Sequence, residues 1–226
     1  MEDLAIVCFS CDKNDEVWPV FYACLNKYWP NHPKTYLLTE TKYYPLMKTI
    51  NHDYPLDKWT TRIYKSLEDI PQNKIIFICD DCFLDEKVNI KKLQDCLNLL
   101  NKNNIAYINF ELSFDSHDGD SIYKGFKKKM SDSSYRLSLL CGIWNKDKLM
   151  NILKYKEQSP WQLENSQYMN GYSSYQVTGD KVLSWFRDGP MMCGAKYSGK
   201  WSRDLPAFLE KEGLKMDLDK KGFNDK

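Results

Sequence analysis

The sequence predicts an α/β fold in which helices cover both faces of one sheet, and three observations support this prediction. Strand-like and helix-like segments alternate from residue 4 to residue 110, a pattern typical of a doubly wound sheet. The run KIIFIC (74–79) is apolar at every position after Lys74, as expected of a strand that is buried on both faces. With 226 residues and 42% apolar content, the chain fits one compact domain.

Strands and helices follow one another at short intervals in the first half of the chain. Apolar residues recur at helical spacing over 17–29, with Pro19 in the first turn, and again over 59–70. Asp57 is predicted to cap the second of these helices, and Pro71 ends it. The other elements predicted here are strands over 4–10, 35–40, 74–79 and 105–110 and a helix over 90–100.

The second half is less regular than the first. Residues 111–136 are polar and are predicted to form a long loop or lid. Another strand follows, then a helix opened by Asn145 and a helix with Ser159 as its cap and Pro160 at its first position. The charged tail from Lys211 is expected to fray.

Charge and hydropathy exclude several classes of protein. The 32 Lys and Arg nearly balance the 31 Asp and Glu, so the chain has no overall field that would attract nucleic acid or a membrane. The N-terminus lacks the basic leader and long apolar run of a signal peptide, and no later window is apolar enough for a transmembrane helix. We therefore expect a cytoplasmic globular protein without a nucleic-acid partner.

Eight cysteines fit that compartment, because most of them lie within apolar runs where a reduced thiol packs as a small hydrophobic group. Two pairs have the spacing of metal knuckles, Cys8 with Cys11 and Cys79 with Cys82. Neither pair carries the glycine of a tight knuckle turn, and the sequence gap between the pairs is far longer than in zinc ribbons. Core packing is the favoured interpretation, and a shared zinc site is the alternative.

Two consecutive carboxylates, Asp80 and Asp81, directly follow the buried strand 74–79. In an open α/β sheet, ligands bind beyond the carboxyl ends of the strands, so this pair is placed to hold a hard cation and, through it, a diphosphate. Such a cation would neutralise the charge that develops on a leaving phosphate. The alternative is a solvated acidic turn, which is common after strands.

Two further side chains could take part in chemistry. Arg62 lies one turn from Trp59 just upstream of the acidic pair, and its planar guanidinium could bind a phosphate. Glu164 lies early in a helix after Trp161, where burial against an aromatic ring could raise its pKa into the range of a general base. A surface arginine and a favourable acid near a helix N-terminus are the simpler alternatives.

Four segments in this order resemble bacterial glycosyltransferases of the GT-A type found in capsule, exopolysaccharide and lipopolysaccharide gene clusters. They are WTTRIYKSLEDIPQNKIIFICDDCFL, SLLCGIWNKDKLMNIL, QSPWQLE and YSGKW, and the resemblance covers most of residues 4–203. It implies a GT-A, Rossmann-like fold with a mixed sheet flanked by helices. Residues 1–110 would form the half that binds a nucleotide sugar, and residues 111–226 the half that binds the acceptor.

The resemblance also implies roles for residues around the donor. The loop after the first strand, with Ser10, Cys11 and Asp12, would lie near the base and ribose of the nucleotide. The acidic pair would bind the donor diphosphate together with the ion, and Lys200 in the GKW segment could contact the diphosphate. The donor is expected to be a nucleotide sugar, most often linked to UDP in such families.

Asp80 and Asp81 would match the acidic motif that binds Mn²⁺ or Mg²⁺ in such enzymes, and Glu164 would match the base that deprotonates the acceptor hydroxyl in inverting members. Two departures bear on the metal. Cys82 stands where a second carboxylate often lies, and none of the three histidines, His32, His52 and His117, lies near the C-terminus where many GT-A enzymes place a ligand.

The expected acceptor is a saccharide, free or carried on a membrane lipid. The basic run from Lys124 to Met130 could make peripheral contact with the inner face of the plasma membrane, with Phe126 and Met130 inserted, although a solvated loop is the simpler interpretation. A sugar nucleotidyltransferase is the rival enzyme class, but it normally needs a glycine-rich loop after the first strand, and SCDKNDE has no glycine. A non-catalytic carbohydrate-binding module is the third class. The sequence leaves the oligomeric state open.

Overall fold

A computed structural model describes residues 2–52, 54–55, 57–102, 104–112, 118–133, 135–187 and 194–224. These residues form an eight-stranded sheet, a two-stranded hairpin and six α-helices. The strands are β1 (Leu4–Phe9), β2 (Lys34–Thr39), β3 (Lys48–Asn51), β4 (Lys74–Cys79), β5 (Ile105–Asn109), β6 (Phe126–Lys129), β7 (Cys141–Asn145), β8 (Ser173–Val177), β9 (Lys196–Tyr197) and β10 (Lys200–Trp201).

The strand order in the large sheet is β3-β2-β1-β4-β7-β5-β8-β6. The first four strands in this order are parallel, β7 runs antiparallel between β4 and β5, and β6 runs antiparallel to β8. The chain moves outward from β1 to β3 and then crosses to the other side of β1 to form β4. This change of direction creates a crevice beyond the ends of β1 and β4, where open α/β sheets bind their ligands.

The helices are α1 (Trp18–Tyr28), α2 (Trp59–Glu68), α3 (Ile90–Leu100), α4 (Lys146–Leu153), α5 (Pro160–Ser166) and α6 (Leu205–Glu212). Buried side chains of α1, α3 and α6 form one apolar cluster with Ile6 and Cys8 of β1. Those of α2, α4 and α5 form a second cluster with Ala5 and Val7, which point to the opposite face. The predicted single α/β domain, with a mixed sheet covered on both faces, is therefore confirmed.

Helix starts show where local sequence signals hold. The side chain of Asn145 accepts the backbone N–H of Lys148 at the start of α4, as predicted. Ser159 caps α5 in a reciprocal capping box with Gln162. The prediction for α2 is wrong, because Lys58 rather than Asp57 occupies the N-cap position and makes no side-chain capping bond.

Residues 111–136 contain more order than a long loop. Phe126–Lys129 forms β6 at the edge of the sheet, and Phe126 is 8% exposed. Lys129 is also buried, because its ammonium group lies 3.0 Å from a carboxylate oxygen of Asp118. The sequence FKKK conceals this strand, since its inward-facing lysine is neutralised by a partner that period-two hydropathy cannot reveal. His117 lies outside the described residues.

The charged tail beyond α6 is also packed against the domain rather than frayed. The indole Nε1 of Trp201 donates to the carbonyl of Leu218 at 3.1 Å, and Phe223 makes a β-bridge with Trp201. Lys221 forms an ion pair with Glu16 of the 3-10 helix Asp12–Val17. Among the described residues, no helix is both long enough and apolar enough to cross a bilayer.

Candidate active site at the carboxyl ends of three parallel strands

A cleft of about 410 Å³ opens where β1, β2 and β4 end side by side. Phe9 pairs in register with Leu38 of β2 and with Cys79 of β4, so the residues that follow these strands meet at one edge. The cleft is bounded by the ends of the three strands, by α2, by the start of α5 and by β9. Its lining residues are Phe9, Ser10, Cys11, Asn14, Glu40, Asp57, Trp59, Arg62, Cys79, Asp80, Asp81, Ser159, Pro160, Trp161 and Lys196.

Asp80 lies at the floor of the cleft and is 4% exposed. One of its carboxylate oxygens accepts the hydroxyl of Ser10 at 2.5 Å and the amide of Asn14 at 2.9 Å. The other oxygen lies 3.2 Å from the ammonium group of Lys196. Trp18 in turn donates its indole N–H to Ser10 at 2.7 Å, which fixes the hydroxyl group that Asp80 accepts. Asp80 is therefore held rigidly by three donors.

Asp81 is held mainly by backbone groups of the segment before β9. One carboxylate oxygen accepts the N–H of Lys196 at 3.1 Å, and its carbonyl accepts the N–H of Ala195 at 2.9 Å. Gly194 has a φ of +96°, and a Cβ there would lie 2.9 Å from the Asp81 carboxylate, so this close approach requires glycine. Burial raises the pKa of Asp81 to about 6; Asp80 adds to the shift and Lys196 opposes it.

Lys196 carries the positive charge of this group of residues. Its side chain is 11% exposed, and burial alone would disfavour the charged form. Asp80 and Asp81 more than offset that effect and hold the pKa of Lys196 above its ordinary value. Two buried carboxylates thus share one ammonium group, and the net charge of about −1 leaves the site suited to a further cation or to a proton on Asp81.

A second ion pair closes the β2 side of the cleft. The guanidinium of Arg62 donates to Glu40 at 2.6 Å, and the other oxygen of Glu40 accepts the backbone N–H of Asp12. Asp12 itself is not among the lining residues, and its carboxylate accepts hydrogen bonds from Thr39 and Thr41. Burial opposes the charged form of Asp12, yet these bonds hold its pKa well below the usual range. Asp12 therefore braces the loop after β1.

Glu164 lies one turn beyond the part of α5 that lines the cleft. One oxygen accepts the N–H of Leu139 at 2.7 Å and the hydroxyl of Ser138 at 3.2 Å. Burial raises the pKa of Glu164, although these bonds oppose the shift. The same segment contacts the end of β4, since the N–H of Cys79 donates to the carbonyl of Leu140 at 3.4 Å. Glu164 thus connects α5 to the segment 138–140, and that segment in turn contacts the end of β4.

Of the predicted site residues, the cleft brings together Ser10, Cys11, Arg62 and the acidic pair. Lys200 lies on β10 and is exposed, four residues beyond the lysine that lines the cleft. Asn14, Glu40 and Lys196 were missed by sequence reasoning. Lys196 lies in a segment with no periodic pattern, and only its spacing from the GKW segment could have drawn notice to it.

Sulfur ligands lie beside the acidic pair. Cys79, Asp81 and Cys82 each present one ligand atom, and these atoms all lie within 4.8 Å of one another. The thiol of Cys79 also hydrogen-bonds to that of Cys82. The residues of this turn can therefore hold a metal ion. Among the described residues, Cys8 and Cys11 are outside this group, although Cys8 lies on the neighbouring strand.

Comparison with known proteins places the fold in a class. No protein-family model matches the chain, and no curated protein matches it. Solved structures do match: S. aureus TarS 1-349 in complex with UDP aligns with a TM-score of 0.54 and 11% identity over 80% of this chain. The same protein in complex with UDP-GlcNAc aligns with a TM-score of 0.52 over 96% of this chain.

A cytidylyltransferase from Leptospira borgpetersenii aligns with a TM-score of 0.50 and 9% identity, over 81% of this chain and 79% of that one. The chain spans 37% of the longer S. aureus TarS structure and 59% of the UDP complex. At these identities the likeness concerns the fold. This chain therefore shares its α/β fold with S. aureus TarS and with a cytidylyltransferase, in agreement with the mixed sheet that the resemblance to GT-A enzymes implied.

Proposed function

We propose that this protein is a glycosyltransferase that moves a sugar from a UDP-linked nucleotide sugar to a saccharide acceptor. The observation that carries the proposal is the cleft at the ends of β1, β2 and β4, where Asp80, Asp81, Lys196 and Arg62 converge. The matching structures solved with UDP and with UDP-GlcNAc support a UDP-linked donor. A diphosphate needs cationic partners in a desolvated site, and Lys196, Arg62 and a cation held by the buried acids would supply them.

The residues of the cleft divide the work of donor binding. Lys196 supplies an ammonium group at the floor, and Arg62 supplies a planar guanidinium at the β2 wall. The desolvated carboxylate of Asp81 would hold a divalent cation, Mn²⁺ or Mg²⁺ as the resemblance to GT-A enzymes implies, and this ion would neutralise charge on the leaving diphosphate. Ser10 and Cys11 line the end of β1, where we place the nucleoside.

Trp161 of α5 lies on the proposed acceptor side of the cleft, and Glu164 lies one turn further along the same helix, outside the cleft lining. Trp161 lines the cleft and is 72% exposed, so its ring offers an apolar platform for a sugar face. Glu164, whose pKa is raised by burial, is the proposed base that deprotonates the acceptor hydroxyl in an inverting displacement. Its second oxygen would act on the acceptor while Leu139 and Ser138 hold the first.

A Glu164→Gln variant tests the base, because it keeps the size of the side chain and an oxygen that Leu139 can donate to. We expect transfer to fall by roughly 100- to 10,000-fold, as is typical for removal of a general base, while UDP affinity stays unchanged. Glu210→Gln, which changes an exposed acid on α6, is the control. Full transfer activity in Glu164→Gln would show that another group is the base.

The proposed acceptors include saccharides carried on membrane lipids. The fold limits which side chains of the basic run could contact a membrane. Phe126 is buried beneath the ammonium group of Lys92, 4.8 Å from its ring centroid, and Lys129 is paired with Asp118. The exposed apolar groups nearby are Ile122, which is 92% exposed, and Met130, which is 41% exposed. Any peripheral contact at or beside residues 124–130 would therefore use Met130 and the neighbouring Ile122 rather than Phe126.

A sugar nucleotidyltransferase is the second candidate, because a cytidylyltransferase shares the fold over most of both chains. The segment after β1 weighs against it. Residues 12–17 form a 3-10 helix with a hydrogen-bonded Asp12 at its start, and they contain no glycine. A triphosphate-binding loop needs backbone N–H groups that approach the phosphates closely, which glycines permit.

Thermal unfolding with UDP, CMP and CTP, each with and without Mn²⁺, separates these classes. A nucleotide at 100 times its dissociation constant stabilises the folded state by about 2.7 kcal/mol. We expect a Mn²⁺-dependent shift with UDP that is lost in Asp80→Ala/Asp81→Ala and kept in Glu86→Ala/Asp95→Ala, which alters two exposed acids outside the cleft lining. A shift with CTP alone would favour the nucleotidyltransferase, and no shift with any nucleotide would favour a binding module.

A further inference from the structure

The turn after β4 has the sequence Cys79-Asp80-Asp81-Cys82, and its side chains divide into two groups. Asp80 is engaged by Ser10, Asn14 and Lys196. The other three side chains face one another, with one ligand atom from each of Cys79, Asp81 and Cys82 within 4.8 Å of the others. These three side chains form the Cys-Asp-Cys cluster.

Core packing alone does not explain why the Cys-Asp-Cys cluster contains a carboxylate. Cys82 is completely buried and Asp81 is 9% exposed, so a carboxylate has been placed in a desolvated position against two polarisable sulfur atoms. Two sulfur atoms and a carboxylate oxygen within 4.8 Å of one another have the ligand types and the arrangement that a thiophilic cation binds.

Distances agree with a small, thiophilic cation. Zinc binds cysteine sulfur at about 2.3 Å and carboxylate oxygen at about 2.0–2.2 Å, which places tetrahedral ligand atoms roughly 3.5–3.8 Å apart. Ligand atoms within 4.8 Å of one another reach that spacing through small side-chain rotations. Two sulfur ligands also favour zinc over the hard ions Mg²⁺ and Mn²⁺, which prefer oxygen.

We propose that Cys79, Asp81 and Cys82 form a binding site for a thiophilic divalent cation of the zinc class. The site is reached from the cleft, because Cys79 and Asp81 line the cleft while Cys82 lies beneath them. Three protein ligands leave a tetrahedral ion with one further position, on the side where the donor is proposed to bind. The spacing Cys-x-x-Cys therefore serves one turn alone and does not bridge β1 to β4.

The effect of this ion on transfer rests on the proposed function, since both share Asp81, but its binding does not. If donor binding requires a hard cation at Asp81, then zinc bound at the Cys-Asp-Cys cluster competes with that cation or replaces it. Metal binding can be measured without substrate, so failure of the metal site and failure of the transferase proposal give different results.

The test is titration of the reduced protein with Co²⁺, a spectroscopic substitute for zinc, in the presence of a non-thiol reductant. We expect a thiolate-to-cobalt charge-transfer band that saturates at about one equivalent and is abolished by added Zn²⁺. The decisive variant is Cys79→Ser, because Cys79 is partly exposed and its replacement should leave the fold intact. Circular dichroism verifies folding.

Cys11→Ser is the matched control. Cys11 is also partly exposed and lines the same cleft, but it does not belong to the Cys-Asp-Cys cluster. The band should persist in Cys11→Ser and disappear in Cys79→Ser. The apparent dissociation constant for Zn²⁺ should rise at least about 100-fold in Cys79→Ser, because the loss of a group that only supports a ligand already lowers metal affinity by roughly 10- to 100-fold. Absence of the band from the wild type, or an equal band in folded Cys79→Ser, would overturn the proposal. Loss of nucleotide binding with the band intact would instead count against the transferase function.

Discussion

At the scale of single residues, the cleft contains more buried negative charges than buried positive ones. Asp80 has its full set of donors, Arg62 is paired with Glu40, and Asp81 is left with backbone donors and a share of Lys196. Breaking a buried pair by removing one partner leaves an uncompensated charge, which is more damaging than removing both. The electrostatics of the site can therefore be tested one group at a time.

Lys196→Met should lower the free energy of unfolding by roughly 3 kcal/mol, because it leaves the Asp80 carboxylate buried without its ammonium partner. The double variant Lys196→Met/Asp80→Asn should recover much of that loss. Lys87→Met, at an exposed position outside the cleft lining, should change stability by less than about 0.5 kcal/mol. Urea unfolding measures all three variants, and equal losses in the single and double variants would refute the pairing.

The pH dependence of stability should report the pKa of Asp81. Its pKa is raised to about 6 in the folded protein from an ordinary value of 3.8, so the folded state binds the proton more tightly than the unfolded state does. Between these two pH values stability falls as pH rises, and above about pH 6 the whole penalty, up to about 3 kcal/mol, is present. Asp81→Asn cannot ionise and should remove this component of the slope.

Urea unfolding of the wild type and Asp81→Asn from pH 4 to pH 7.5, with chelator present, measures the difference between them. Their stabilities should diverge in favour of the variant as pH rises. Parallel pH profiles would mean that the Asp81 carboxylate ionises normally in the folded protein.

At the scale of elements, the sequence predicted best those segments whose signal is local. The apolar run of β4 and the capping residues Asn145 and Ser159 gave the correct elements, because each depends on neighbours within a few residues. β6 was missed because its lysine is neutralised across the fold by Asp118. Lys196 was missed for the same physical reason, since its partner Asp80 lies 116 residues away in sequence.

The cap of α5 gives a prediction that separates stability from function. Ser159→Ala removes the capping bond and should destabilise the protein by about 1 kcal/mol. Asn145→Ala removes the cap of α4 and should destabilise it by a similar amount. Because α5 carries Trp161 into the cleft and α4 does not line it, only Ser159→Ala should also weaken saccharide acceptor use, seen as a higher KM. Equal KM changes in both variants would indicate a general loss of stability.

At the scale of the whole molecule, the resemblance in sequence anticipated the fold because it rests on the order of strand-end motifs along the chain. The acidic pair, Arg62 and the loop after β1 come together because three parallel strands end in register. What local patterns could not show is how the chain returns to this edge. The segment from Gly194 brings Lys196 under the acidic pair, and that return depends on contacts made by the last residues of the chain.

The last prediction concerns that return. Trp201 is fully buried and is held by the tail, through the carbonyl of Leu218 and the β-bridge to Phe223, and it pairs with Lys196 in the β9-β10 hairpin. Removing residues 214–226 exposes Trp201 and frees the hairpin, so we expect lower thermal stability and UDP affinity reduced by at least about 10-fold, since Lys196 loses its support.

Removing only residues 225–226 should change neither property, because the contacts that hold Trp201 lie before them. Tryptophan fluorescence follows the exposure of Trp201, and the UDP titration follows the cleft. A truncation of residues 214–226 that unfolds at a lower temperature but still binds UDP with unchanged affinity when folded would show that the tail stabilises the domain without positioning Lys196. In that case the hairpin alone must hold the lysine against Asp80, through its two-strand pairing and the carbonyl contact between Ala195 and Asp81.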